Sequence, residues 1–276
     1  YHQRVFLFFH CHHPAGNVDA GMIFSSTGFI LRRVDYGDYD LILTFFSRDQ
    51  GKISAIAKSA KKSAKRFAGV LELFSQVRMV CRRPRRGNLP VLQEAAVLNP
   101  FAEIRSSVRK TVYASYWSEL VTSWFEEKQP QIEIYQLLNY SLGCLNTGEI
   151  SEGVLSVLFQ MRFLSLSGHR PNLSHCSRCG RDLDDFAGSL VVFDLPRGGL
   201  ICDRCATGSN GKIRLQRGTL KQLRWLETTA LSKVGRMHVS PEALQESFEL
   251  LDAFLPYHLG KEPKSLKFLR QLRKDG

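Results

Sequence analysis

The sequence predicts an α+β protein: a five-stranded OB-like β-barrel at the N-terminus, then an α-helical domain interrupted by a small inserted ribbon. Three observations carry this. Five short β-rich segments succeed one another with no helical pattern between them. Apolar residues take up helical spacing after Asn99-Pro100. Two Cys-x-x-Cys pairs then break the helical region.

The β-rich segments are GFILRRV, DLILTFF, KISAIA, GVLELFSQVRMVC and LPVLQEAAVL, separated by the turn-forming stretches DYGD, SRDQG, a lysine-rich strip and RRPRRGN. Five strands within about 80 residues, without a helix, suit a small closed barrel, and the oligonucleotide-binding plan is the commonest of these. An SH3-like barrel also fits the strand count. This domain is expected over residues 22–100. Residues 1–21 carry four of the eight histidines and precede a clean strand pattern opened by Met22; they are expected to be a non-native leader or the product of a start placed too early. Their run His10–His13 is a weak metal candidate, because consecutive side chains diverge.

The helical domain is expected over residues 101–276. Val108, Val112, Tyr116, Leu120 and Trp124 make one stripe, and Ile134, Leu138, Leu142 and Leu145 a second. Val154, Leu158, Met161 and Leu164 make a third, read as amphipathic. Helical spacing resumes with Leu220, Leu223 and Leu226, then Leu244, Phe248, Leu251 and Leu255, and a short basic helix near Leu266–Leu272. The insert occupies about residues 169–211.

Net charge is +12 and the isoelectric point near 9.5, which favours anionic partners. The charge is bunched. Between Lys52 and Pro90 eleven basic residues accompany a single acid, Glu72, so this stretch carries +10 of the +12. Lys58, Lys61, Lys62, Lys65 and Arg66 lie in the link between the third and fourth strands, and no neighbouring acids are expected to neutralise them. Arg82, Arg83, Arg85 and Arg86 lie in the next link. If both links border one groove, they form a cationic track for phosphates. Phe29, Tyr36, Tyr39 and Phe67 are then the candidates for base stacking, although several are needed for the core. The plainer reading is a solubilising loop.

Cys176 and Cys179 (CSRC) are followed 22 residues later by Cys202 and Cys205 (CDRC). A two-residue gap lets two thiolates reach one tetrahedral ion, and SLVVFDLPRGGLIC between the pairs reads as a hairpin, so a zinc ribbon is expected. Four thiolates leave no open position for water, which makes one structural Zn2+ the expected cofactor. Cys11, Cys81 and Cys144 stand alone and are read as bystanders.

Other motifs are weaker. Asp35–Asp40 (DYGDYD) holds three acids that could bind Mg2+ in a nuclease, but Asp-Gly-Asp between strands reads as a turn. GSNGKI, Gly208–Ile213, lacks the spacing and the hydroxyl of a phosphate loop. No G-x-S-x-G or H-E-x-x-H appears, so no enzyme is expected. No apolar run approaches the ~18 residues of a membrane span. No membrane association is therefore expected, and the reading is cytoplasmic.

The stretch STGFILRRVDYGDYDLILTFFSRDQGKISAIAKSAKKSAKRFAGVLELF resembles the N-terminal barrel of the RecO family of bacterial recombination mediators, and GHRPNLSHCSRCG, Gly168–Gly180, resembles the lead into that family's zinc module. The order of barrel, bundle, insert and bundle is similar too, over about residues 22–270. Asp38 departs from the Glu frequent in the family. The resemblance implies binding of single- and double-stranded DNA and strand annealing in DNA repair. It also implies a RecR-type partner, recombinase loading at gaps, and docking of the acidic, phenylalanine-ending tail of single-strand-binding protein. From another class, a zinc-ribbon RNA- or ribosome-binding factor is the alternative.

Overall fold

A computed structural model describes residues 22–62, 66–84, 89–206, 213–236 and 239–274. Five strands, β1 (Ile23–Tyr36), β2 (Asp40–Ser47), β3 (Gly51–Ala57), β4 (Gln76–Arg82) and β5 (Val91–Asn99), close into a barrel of order β1-β2-β3-β5-β4. The pairing is antiparallel throughout except for β3 with β5, where Ile56 registers with Val91. β1 serves both edges: its first half pairs with β4 and its second half with β2, with a bulge between Ile30 and Arg32. A bulge bends a strand and increases its twist, which is what a small barrel requires of the strand that closes it.

Strand alternation divides the apolar residues between two cores. Ile30 and Phe45 point into the barrel with Leu43, Ile53, Val77, Met79 and Leu92. Their neighbours Phe29, Leu31 and Phe46 point outward and join the helical body's core. Phe29 lies 4.8 Å from the Tyr135 ring and Phe46 lies 6.3 Å from Phe125, ring centre to ring centre. The expected fourth strand is shorter than its apolar run: Gly69–Ser75 is turn rather than strand. Phe74 takes a left-handed backbone conformation there (φ 68°). Phe67 and Leu71 from this link close the barrel interior, so the apolar run that suggested a strand is the barrel's plug.

The helical body comprises α1 (Ala102–Arg105), α2 (Val108–Trp124), α3 (Ile132–Thr147), α4 (Glu152–Leu166), α5 (Arg217–Thr228), α6 (Pro241–Leu259) and α7 (Lys264–Lys274). Ser107 caps α2 through Lys110 N–H, and Ser240 caps α6 through Ala243 N–H. α4 is not amphipathic. Eleven of its fifteen residues are buried, because α3, α5 and α6 surround it. Its polar groups are satisfied internally: Gln160 Oε1 accepts from Tyr116 Oη (3.2 Å), and Ser156 Oγ accepts from Trp117 Nε1 (3.3 Å).

Between α4 and α5 the ribbon forms a three-stranded sheet, β7-β6-β8, from β6 (Leu190–Asp194), β7 (Gly199–Ile201) and β8 (Ile213–Gln216). β6 and β7 are the expected hairpin. Phe193 meets Phe254 of α6 edge to face at 5.5 Å, anchoring the ribbon to the bundle. No helix among the described residues is long and apolar enough to cross a membrane.

Candidate nucleic-acid interface and metal centre

The basic strip begins where β3 ends. Asp40, the first residue of β2, accepts from Ser59 N–H at 2.7 Å, and Tyr39 C=O accepts from Lys61 N–H at 3.0 Å. The strip is thus fastened to the β1–β2 turn. Lys58, Lys61, Lys62 and Arg66 are all exposed. Lys62 Nζ sits 3.4 Å above the centre of the Tyr39 ring, and the Arg66 guanidinium lies 4.3 Å from that of Phe67. Lys65, Arg85 and Arg86 lie outside the described residues.

One expectation is overturned at Lys61. Its ammonium pairs with Asp35 Oδ2 at 2.9 Å, so an acid remote in sequence does neutralise part of the strip. Two of the three DYGDYD acids are thereby accounted for: Asp35 holds Lys61, and Asp40 holds the strip's backbone. Among the described residues, the only group of three or more His, Cys, Asp or Glu side chains placed to hold a metal is the cysteine set.

Arg82 pairs with Ile23 on β1 and with Val91 on β5, and Val91 registers with Ile56, two residues before Lys58, so Arg82 lies at the end of β3 where the strip begins. Arg83 stacks at 4.9 Å on Phe24 and donates to Gln50 Oε1 in the β2–β3 turn. Arg83 is thus engaged away from the strip, whereas the end of the β4–β5 link returns beside it, where Ile56 N–H donates to Pro90 C=O (2.8 Å). Of the stacking candidates, Phe29 and Phe67 are core residues, whereas Tyr36 (55% exposed) and Tyr39 (44% exposed) face solvent beside the strip. Sequence reasoning missed Arg33, which lines a cavity of about 320 Å3 together with Lys61 and Lys62. Its signal is the Arg32-Arg33 pair at the end of an otherwise apolar strand.

In the ribbon the Sγ atoms of Cys176, Cys179, Cys202 and Cys205 all lie within 4.8 Å of one another, with Cys179 and Cys202 at 3.7 Å. Thiolates about 2.3 Å from a tetrahedral ion stand roughly 3.8 Å apart, so the set fits one metal ion. Two tight turns shape it: Gly180 N–H bonds Cys176 C=O at 2.9 Å, with Gly180 at φ 76°, and Cys205 N–H bonds Cys202 C=O at 3.0 Å. Burial opposes ionisation of Cys176, but backbone N–H groups of Cys202, Cys179 and Arg178 draw its thiol down to about 6. Cys205, hydrogen-bonded by the side chains of Cys202 and Cys179, is pushed up to about 12. Cys176 is thus drawn down while Cys205 is pushed up, a conflict that a cation among the sulfurs removes. Cys81 lies apart in the barrel core, where burial pushes its thiol up to about 11.

A closed barrel with a solvent-facing basic link, joined to a helical body that carries a four-cysteine ribbon, defines a class of OB-barrel proteins. The comparisons narrow it. Residues 22–101 match the model described as Recombination protein O N terminal, and residues 105–267 match Recombination protein O C terminal. The chain belongs to the RecO family. It is similar to the DNA repair protein RecO of Desulfatibacillum aliphaticivorans, 45% identical over 251 residues (91% of this chain, 97% of that protein). It is similar also to those of Desulfosudis oleivorans (42%; 91% and 98%) and Bacillus pumilus (31%; 91% and 95%).

Proposed function

We propose that the chain is a DNA-binding, strand-annealing recombination mediator of DNA repair, active in the bacterial cytoplasm on single- and double-stranded DNA. The observation that carries this is the exposed strip Lys58–Lys62, pinned by backbone hydrogen bonds to a turn that presents Tyr36 and Tyr39. A cationic surface fixed in place neutralises phosphates and releases counterions without ordering itself first. The exposed tyrosines offer sequence-independent stacking beside it. Two strands held at one such surface repel each other less and meet at raised local concentration. That task requires no covalent chemistry, and we assign no catalytic residue.

Family membership supports the partners: a RecR-type protein, recombinase loading on DNA coated by single-strand-binding protein, and docking of that protein's acidic tail on the helical body. The four cysteines hold one structural zinc ion in this reading. The ion supplies cross-linking energy to the ribbon, and no step of annealing passes through it.

The test is annealing of complementary oligonucleotides, naked and coated with single-strand-binding protein, with and without RecR. Faster annealing on both substrates is expected. No acceleration on naked strands would sink the reading, and tighter competition by RNA than by DNA would move it to an RNA-binding factor.

A further inference from the structure

A groove of about 610 Å3 runs between the barrel, α2 and the start of α7. Its floor is apolar, with Leu31, Leu73, Phe74 and Val112. Its walls are cationic on both sides: Arg32 projects from β1 and Lys264 from α7. Lys267 and Phe268 follow Lys264 at helical spacings of three and four, which places them on one face of α7. Lys267 is exposed, and the Phe268 ring is 66% exposed, a large apolar surface with no packing reason to face water. Arg32, Lys264 and Lys267 make no ion pair with another described residue. The acid in the lining, Glu119, is already engaged by the N–H groups of Lys264 and Ser265.

We propose that this groove is a second contact track for a single nucleic-acid strand, continuous with the barrel's basic strip. It rests on the nucleic-acid reading of that strip. Continuity comes from β1, where Arg33 faces the cavity shared with Lys61 and Lys62 while the adjacent Arg32 faces the groove. A strand leaving the strip crosses β1 at these two guanidiniums and enters between Arg32 and Lys264. Lys264 and Lys267 meet its phosphates, and Phe268 stacks a base, the combination that sequence-tolerant single-strand binding uses. Cations on both walls, joined to a second basic surface, suit a through-going polyanion better than a peptide end held in one pocket.

The test is fluorescence anisotropy on the full chain with dT oligonucleotides of ~8 nucleotides, within one barrel's site size, and of ~30 nucleotides. Lys264→Ala with Lys267→Ala leaves the backbone cap on Glu119 intact, and circular dichroism checks folding. On the long strand this pair should flatten the log–log salt slope by about 1.4, at 0.7 per phosphate. Phe268→Ala should weaken long-strand binding roughly fivefold or more, and Phe268→Trp should restore it. The short strand should bind all three variants as it binds the unaltered chain. Unchanged long-strand binding overturns the groove track. If Lys58→Ala with Lys62→Ala still weakens both lengths, the reading of the strip survives that failure; if that pair is also silent, both fall. Equal losses on both lengths overturn the continuity. Loss of an acidic, phenylalanine-ending peptide with DNA binding unchanged makes the groove a peptide pocket and overturns the proposal.

Discussion

The strip's lysines are not equivalent, although the sequence presents them as a uniform run. Lys61 is paired with Asp35, whereas Lys62 lies over the Tyr39 ring. An exposed pair such as Lys61–Asp35 is worth about 0–1 kcal/mol, so DNA can compete for the lysine but must displace an acid to do so. Asp35→Asn should therefore tighten single-strand binding and steepen its salt dependence, measured by anisotropy across salt concentrations. Weaker binding by that variant would count against Lys61 facing phosphate. Lys58→Ala with Lys62→Ala should flatten the slope by about 1.4 if each lysine meets one phosphate. The loss should be similar on unrelated sequences, since phosphates carry no base code.

Among the elements, α7 has its first turn capped by a carboxylate from another helix. Glu119 of α2 accepts from Lys264 N–H and Ser265 N–H, both at 2.8 Å, and also from Ser265 Oγ, satisfying the free donors at the start of α7. Burial works against the charge, but these bonds outweigh it and hold Glu119 below the usual glutamate range. The folded value is depressed, so the stabilisation is present above the ordinary glutamate value of 4.5 and is lost as pH falls through the folded value. Glu119→Gln should cost about 0.5–2 kcal/mol at neutral pH, as cap substitutions do. Melting curves of the two proteins should converge on acidification, and a gap that persists in acid would refute the assignment.

The ribbon has a different dependence. Its sheet is small, but Phe193, Leu200, Ile201 and Leu215 belong to the main core. Metal loss should therefore loosen more than the ribbon. Cys176→Ser or chelation should release one zinc ion by elemental analysis and lower the melting temperature by about 2–4 °C for each kcal/mol lost. A metal-free protein of equal stability would end the structural-zinc reading.

At the scale of the whole molecule, the barrel and the helical body share a core. Phe29, Leu31, Phe46 and Phe74 leave the barrel to pack among the helices, and Gln76 Nε2 donates to Tyr135 Oη at 2.9 Å across the junction. Backbones also meet directly: Lys128 N–H donates to Lys52 C=O at 3.0 Å, and Lys52 Nζ donates to Thr122 C=O at 2.8 Å. Gly51 makes this approach possible. It has φ 68°, and a Cβ there would stand 2.1 Å from the Gln129 carbonyl oxygen. Gly51→Ala should cost at least about 1–3 kcal/mol from the backbone conformation alone, with the clash adding to it. Urea denaturation should show the loss, and a variant as stable as the parent would mean that the junction is looser than drawn. A junction this close holds the strip and the α7 groove in fixed relation, as a continuous strand path requires.

Short-range chemistry is what the linear order of residues makes legible. Strand alternation, turn residues and helical spacing located the barrel strands and the helices, and two Cys-x-x-Cys pairs located the four sulfurs that the ribbon gathers. Each signal lies within a few residues of its partner, so it survives in one dimension. The tertiary structure decided which face each apolar residue served. Phe45 and Phe46 are indistinguishable in the sequence, yet one fills the barrel and the other the bundle. The run Gly69–Ser75 read as strand because apolar composition cannot tell a strand from a plug. α4 read as amphipathic because its outer positions are polar enough to face water, until α3, α5 and α6 enclose it. The site divides in the same way. The charges of the strip were legible, but the pairing of Lys61 with Asp35 and the engagement of Arg83 by Phe24 and Gln50 depend on where barrel closure places β1's two ends. Pairing register and closure are long-range consequences of packing and hydrogen bonding, and no local pattern records them.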